Sequence, residues 1–126
     1  MKIAEVSARY GLSADTLRYY ERVGLIPPVQ RSESGIRDYA EQDCRWIEFI
    51  KCMRSAGLPI EALIEYVALF RQGDATIDAR VALLTEQRRQ LVARMADMQA
   101  TLERLNYKIA WYDRVLLPRE QQLQAR

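Results

Sequence analysis

The chain has 126 residues, a formal net charge of +2, 49% hydrophobic and 29% charged residues, two cysteines and no histidine. That length fits one compact domain plus an extension. No apolar run approaches the roughly 18 residues needed to cross a bilayer or the block of a signal peptide, so a cytoplasmic chain without a membrane partner is expected. With no histidine to serve as base or ligand, neither a conventional nucleophilic site nor a Cys/His zinc site can be assembled, and no enzyme and no cofactor are expected.

The first amphipathic helix is predicted from Lys2 to Tyr10, with Ile3, Val6 and the alanines inward. Gly11 supplies a turn and Leu12 plugs the junction. Ser13 is placed as the N-cap of a second helix that ends near Arg22, and Gly24 stops it before Pro27 and Pro28. Leu17 and Tyr20 are spaced to face the core, which leaves Thr16, Arg18 and Tyr19 on a face suited to phosphates and base edges. Helix, glycine turn and helix in this order predict sequence-directed DNA binding. Residues 1–40 hold six Lys or Arg against five Asp or Glu, so any attraction to DNA must be local, with Arg18, Arg31 and Arg37 the visible candidates.

Residues 29–40 predict an extended loop or small hairpin turning at Ser34-Gly35, with Ile36 and Tyr39 anchoring the returning arm and Arg37 projecting outward. A basic loop beside a helix-turn-helix is a wing. A third helix follows over about Glu41–Ala56, its apolar face read as Trp46, Ile47, Phe49, Ile50 and Met53. Cys44 falls about 150° from the centre of that face and has no assigned role, whereas Cys52 falls about 120° away, in line with Arg45 and Glu48. The two cysteines are roughly 12 Å apart along one helix, too far for the ~7 Å that a disulfide allows. They are therefore read as free thiols.

Gly57 and Pro59 separate a fourth helix with the stripe Ile60, Leu63, Ile64, Val67 and Phe70, and Gly73-Asp74 break it. A single long helix then runs from about Thr76 to Leu116. Its apolar residues recur every three or four positions from Ile77 through Leu116, interrupted only at Arg88, which is the pattern of a coiled-coil seam. Such a seam would lie uncovered in a single chain, so a homodimer is expected. The expected fold class is mainly all-α, a winged helix-turn-helix at 1–73 followed by a dimerisation helix at 74–117 and a frayed tail at 118–126.

These motifs resemble the MerR family of bacterial transcriptional regulators. The resemblance rests on TLRYYERVGLIPP (Thr16–Pro28), on Arg31, Gly35, Arg37 and Tyr39 in R-x-x-x-G-x-R-x-Y, and on Asp43, Phe49 and Ile50. It continues through M-R-x-x-G-x-x-I-E-x-L (Met53–Leu63) and the long helix. It implies a dimer on a near-palindromic promoter operator, held by an antiparallel coiled coil, that distorts the spacer so that RNA polymerase can use it. It also implies DNA contacts by Arg18, Tyr19 and Arg37 supported by Thr16, with Tyr39 packing the wing and keeping its hydroxyl free for a phosphate. Within the family, IEFIKCMRSAGL (Ile47–Leu58) resembles the short branch responsive to aldehydes and other thiol-reactive electrophiles, which makes Cys52 the expected sensor. Lys51 and Arg54 beside it would favour a thiolate and Glu48 would oppose one. Two other readings stay open: a coiled-coil module for protein–protein interaction, and a regulator of the same family that answers to a non-covalent small molecule.

Overall fold

The computed structural model describes residues 1–119. Five α-helices follow one another: α1 (Ile3–Tyr10), α2 (Ala14–Val23), α3 (Glu41–Ser55), α4 (Ile60–Arg71) and α5 (Ile77–Trp111). A 3₁₀ turn at Asp74–Thr76 leads into α5, and a π-helical turn at Tyr112–Leu116 follows it. The only β-type pairing among the described residues is an antiparallel bridge between Arg31 and Arg37. The mainly α, winged helix-turn-helix reading therefore holds. Of the tail expected to fray, only Pro118 and Arg119 are described, and they are helical; the rest lies outside the described residues.

Local chemistry explains the helix boundaries. Gly11 closes α1 at φ 66°, and its N–H bonds the Ser7 carbonyl. Ser13 caps α2, its hydroxyl accepting from Thr16 N–H at 3.1 Å. Gly24 closes α2 at φ 85°. Both glycines sit in the left-handed region that side chains with a Cβ avoid. At the start of α3, Asp43 accepts from the Ala40 N–H at 2.8 Å, half of a capping box.

The chain divides into two compact units that meet between Arg88 and Arg89. The first thus extends past the boundary expected at residue 73 and takes in the beginning of α5. Its core joins Val6 of α1, Leu17 and Tyr20 of α2, Leu25, Ile26 and Val29 of the following loop, Tyr39, and Ile47 and Ile50 of α3 to Leu58 and Leu63. At the α4–α5 junction the buried Thr76 hydroxyl lies 2.5 Å from the Leu69 carbonyl and 2.8 Å from that of Gly73. Arg80 reaches back from α5 to Thr76 Oγ1 and the Gly73 carbonyl, both at 3.1 Å. This joins the end of α4 to the first turns of α5.

The structure corrects the reading of α3. Cys44, set aside as lying far from the core face, is completely buried beside Ile47 and Ile50. Residues 44, 47 and 50 advance by three, so they occupy one arc of the helix centred on Ile47. Trp46 and Phe49 are only half-buried. They pack with Tyr66 and Phe70 of α4, ring centroids 5.0 to 6.2 Å apart. These bulky aromatics pull the apparent apolar centre of α3 about a quarter-turn away from its buried arc. Ile36 is corrected too: it is 54% exposed rather than buried as an anchor of the arm.

In the second unit, α5 carries Met95, Met98, Leu102, Leu105 and Ile109 exposed, as the seam requires. The side chain of Leu116, its last expected member, lies outside the described residues. The burial of Cys44 predicts that Cys44→Asp destabilises the protein by at least about 3 kcal/mol in urea unfolding, because it buries a charge without a partner. The exposed Cys52, changed to Asp, should shift stability by no more than about 0.5 kcal/mol.

Candidate nucleic-acid interface

Capping at Ser13 sets the start of α2, and burial of Leu17 and Tyr20 sets its rotation. With those two turned inward, Arg18 and Arg22 are exposed and Thr16 and Tyr19 are half-exposed. The Thr16 hydroxyl lies 2.8 Å from that of Ser13, so Thr16 belongs to the cap as well as to the outer face. Arg22 stacks over the Tyr19 ring at 5.6 Å. Arg18 pairs with Asp15 at 2.9 Å, but the Asp15 side chain is 95% exposed. An ion pair in that setting is worth roughly 0–1 kcal/mol, so a phosphate can displace it readily.

The wing is built from short-range bonds. Ser32 N–H donates to the Ile36 carbonyl at 2.7 Å, Gly35 N–H to Ser32 at 2.9 Å, and Asp38 N–H to Gln30 at 2.7 Å. Arg31 donates to the Gly35 carbonyl at 3.1 Å, across its own turn. Tyr39 ends the returning arm fully buried, its N–H bonded to the Met1 carbonyl at 2.8 Å.

Glu21 joins the two parts. Its Oε1 accepts from Arg37 Nε at 2.5 Å and its Oε2 from the Val29 N–H at 2.9 Å. The side chains of Arg37 and Glu21 are 22% and 12% exposed, and such partial exclusion of water strengthens a charge-assisted bond. Burial alone would raise the Glu21 carboxyl, but the bonds from Arg37 and Val29 and the charges of Arg37 and Arg31 outweigh it and hold it below the usual value.

Two expectations change here. Arg37 does not project outward; it folds back onto α2 and donates its Nε–H to Glu21. Tyr39 does not leave a hydroxyl for a phosphate: that oxygen is buried and has no hydrogen-bond partner among the described residues. Burial pushes the Tyr39 phenol above its ordinary value, so it remains a neutral packing group. Glu21 is the bridging residue that pattern reading missed. The available signal was an acid on the helix otherwise expected to meet DNA. What Arg18, Arg31 and Arg37 share is a cleft of about 150 Å³ between α2 and the wing, closed by Ile3, Gly35 and Ile36.

This geometry has relatives. Residues 1–69 match the MerR HTH family of regulatory proteins, and residues 44–107 match the MerR DNA-binding family. The chain belongs to the MerR family of DNA-binding transcriptional regulators. It is 64% identical over 92 residues to the HTH-type transcriptional regulator AdhR of Bacillus subtilis (strain 168), a match covering 73% of this chain and 66% of AdhR. A MerR family transcriptional regulator from Listeria monocytogenes superposes with a TM-score of 0.94 at 52% identity, over 99% of this chain and 95% of that one. HiNmlR, a MerR family regulator lacking the sensor domain, has been solved bound to promoter DNA. It superposes with a TM-score of 0.83 at 29% identity over 92% of both chains. These relatives are regulators, not enzymes.

Cys52, the expected sensor of this MerR-family chain, is exposed on α3. The cations beside it are engaged elsewhere: Lys51 Nζ donates to the Tyr10 carbonyl, and Arg54 donates to Leu58 at 2.8 Å. Among the described residues no cluster of acids and cysteines could hold a metal ion, and no helix is long and apolar enough to cross a membrane.

The bridge at Glu21 carries a pH prediction. Its carboxyl is depressed in the folded state, so its stabilisation is complete above the unfolded value near 4.5 and is lost as pH falls through the lower folded value. Glu21→Gln should therefore cost about 1–3 kcal/mol at neutral pH. Urea titrations of the two proteins should converge as the pH is taken below that range.

Proposed function

We propose that this MerR-family regulator binds a near-palindromic promoter operator as a homodimer and is switched by electrophile modification of Cys52. The observation that carries the DNA reading is the cleft between α2 and the wing, lined by Arg18, Arg31 and Arg37, with the exposed Arg22 on the same helix as Arg18. Guanidiniums match phosphate geometry and bind it bidentately. Arg18, Tyr19 and Thr16 would meet the major groove and adjoining backbone, with Arg22 beside them. Arg31 and Arg37 would hold the phosphate that crosses the wing. That HiNmlR, which shares the fold, is bound to promoter DNA supports DNA as the ligand.

The exposed apolar residues of α5 support dimerisation, since an uncovered seam of this length favours pairing with a second copy. Two copies would address two half-sites about one helical turn or a multiple apart. Bending the intervening DNA would then bring promoter elements into phase for RNA polymerase, a mechanism that draws on deformability as well as base contact.

Cys52 supports the switch through its neighbours. Lys51 ties α3 to the end of α1 through the Tyr10 carbonyl, and Arg54 ties the end of α3 to Leu58. Addition of the Cys52 thiol to formaldehyde forms one S–C bond and moves the thiol proton to the former carbonyl oxygen. The resulting hydroxymethyl group adds bulk between these two ties. In this proposal the altered tie changes how the helix-turn-helix is presented to DNA.

Arg31→Ala should weaken binding to the DNA upstream of its own gene and lower the salt slope of log K by about one for each arginine–phosphate pair removed. Cys52→Ser should keep operator affinity but abolish the transcriptional response to formaldehyde in a reporter strain. A full response in that variant would remove Cys52 from the mechanism.

A further inference from the structure

Glu21 is an acid on α2, the helix proposed to meet DNA, and a carboxylate beside a polyanion is ordinarily expected to weaken binding. The geometry of its partner argues the opposite. An arginine carries five N–H donors in a planar fork. Arg37 commits one of them, Nε–H, to Glu21 Oε1 at 2.5 Å. Neither of its Nη groups has a hydrogen-bond partner among the described residues. The buried side-chain atoms left without a partner among those residues are Tyr39 Oη and Gln87 Oε1, so both Nη groups of Arg37 reach solvent. Arg37 also lines the cleft shared with Arg18 and Arg31. The guanidinium is therefore held at Nε and open at Nη, where its remaining donors can take a phosphate.

The support itself is fixed. Glu21 has a side chain 12% exposed, and its second oxygen accepts from the Val29 N–H at 2.9 Å. Swinging the carboxylate away would strand the N–H of a buried residue. The other cations of the cleft have no comparable hold. Arg18 pairs with Asp15, whose side chain is 95% exposed, and Arg31 donates to the Gly35 carbonyl of its own turn. Nor do the acids of the wing share the role: Glu33 is exposed, and Asp38 pairs with the Met1 amine at 3.0 Å.

We propose that Glu21 is a positioning residue for DNA: it holds Arg37 at Nε so that the Nη end binds a backbone phosphate, and it strengthens binding despite its negative charge. The inference rests on the DNA reading above and adds to it the residue that aims the wing arginine. Ordering one long side chain at an interface costs up to about tenfold in affinity, which a fixed Arg37 avoids. Glutamine cannot replace the carboxylate. Its amide presents one oxygen and one NH₂ where Arg37 and Val29 both donate, so one of the two ties is lost.

The test uses the full chain and a fluorescent duplex of the DNA upstream of its own gene, with affinity read by anisotropy at fixed salt. Glu21→Gln should bind about tenfold more weakly than wild type, although it removes a negative charge. Arg37→Ala should also weaken binding. Adding Glu21→Gln to it should then change affinity by less than about twofold, because no guanidinium is left to hold. Arg37→Lys keeps the charge without the fork and should bind about tenfold more weakly, which tests the same point without touching Glu21. Circular dichroism and urea unfolding establish that each variant is folded under the binding conditions. Glu21→Gln binding as tightly as wild type, or more tightly, would overturn the proposal and make the carboxylate a competitor of DNA for Arg37. An equal loss from Glu21→Gln with and without Arg37 would assign its effect to Val29 and the wing backbone, and overturn it too. Arg37→Lys at wild-type affinity would do the same. Wild type that leaves the duplex unbound at low salt would defeat the DNA reading itself and this inference with it, a result visible before any variant is made.

Discussion

Glu21 is the residue that ties the wing to α2, and the surface proposed to meet DNA is built around that tie. It sits on α2 with two acceptors already committed, one to the Val29 N–H at the start of the wing and one to Arg37 on its return. The wing is also held by its own turn, the Arg31–Arg37 bridge, the Met1 bonds to Asp38 and Tyr39, and the burial of Val29 and Tyr39 in the core; Glu21 is the polar tie from α2 itself. With it, Arg18, Arg31 and Arg37 are brought around one cleft. A single carboxylate thus fixes Arg37 directly and feels the charge of Arg31, while neutralising part of the positive charge at the cleft. The near-neutral total of the chain is consistent with this: the surface depends on arrangement and not on excess charge.

Polar side chains also fix the other end of the first unit. Arg80 and Thr76 join the end of α4 to the first turns of α5 through backbone carbonyls. The packed unit consequently runs through Arg88 and takes in the first turns of the long helix. A change in α3 or α4 has a short route to that junction, through Phe70 beneath Arg80. Cys52, the candidate input, lies on α3, whose Ile47 and Ile50 share a core with Val6 of α1 and Leu17 and Tyr20 of α2.

Much of this was legible in the sequence because punctuation and periodicity agree. Ser13, Gly11 and Gly24 bound the first two helices by local chemistry, and Leu17 and Tyr20 fix which face of α2 is left for ligand. The long seam was equally plain, since a 3.5-residue apolar repeat matches a coiled coil and little else. The rotation of α3 was not legible. Trp46 and Phe49 are as apolar as a core residue, and only the presence of Tyr66 and Phe70 on α4 reveals that they form a separate aromatic cluster while Cys44 enters the core. The roles of Arg37 and Tyr39 were also hidden. Whether an arginine points to solvent or back to an acid sixteen residues earlier depends on tertiary contact, and a tyrosine hydroxyl near a loop gives no sign of its burial.

The central claim is that α2 and the wing form one surface that reads promoter DNA, doubled by a second copy. Hydroxyl-radical footprinting of the DNA upstream of its own gene addresses it most directly. The expected result is two protected patches related by two-fold symmetry, with centres separated by one helical turn or a multiple of it. Arg31→Ala should lose the wing-facing part of each patch. A single unpaired patch, or no protection at low salt, would contradict the claim.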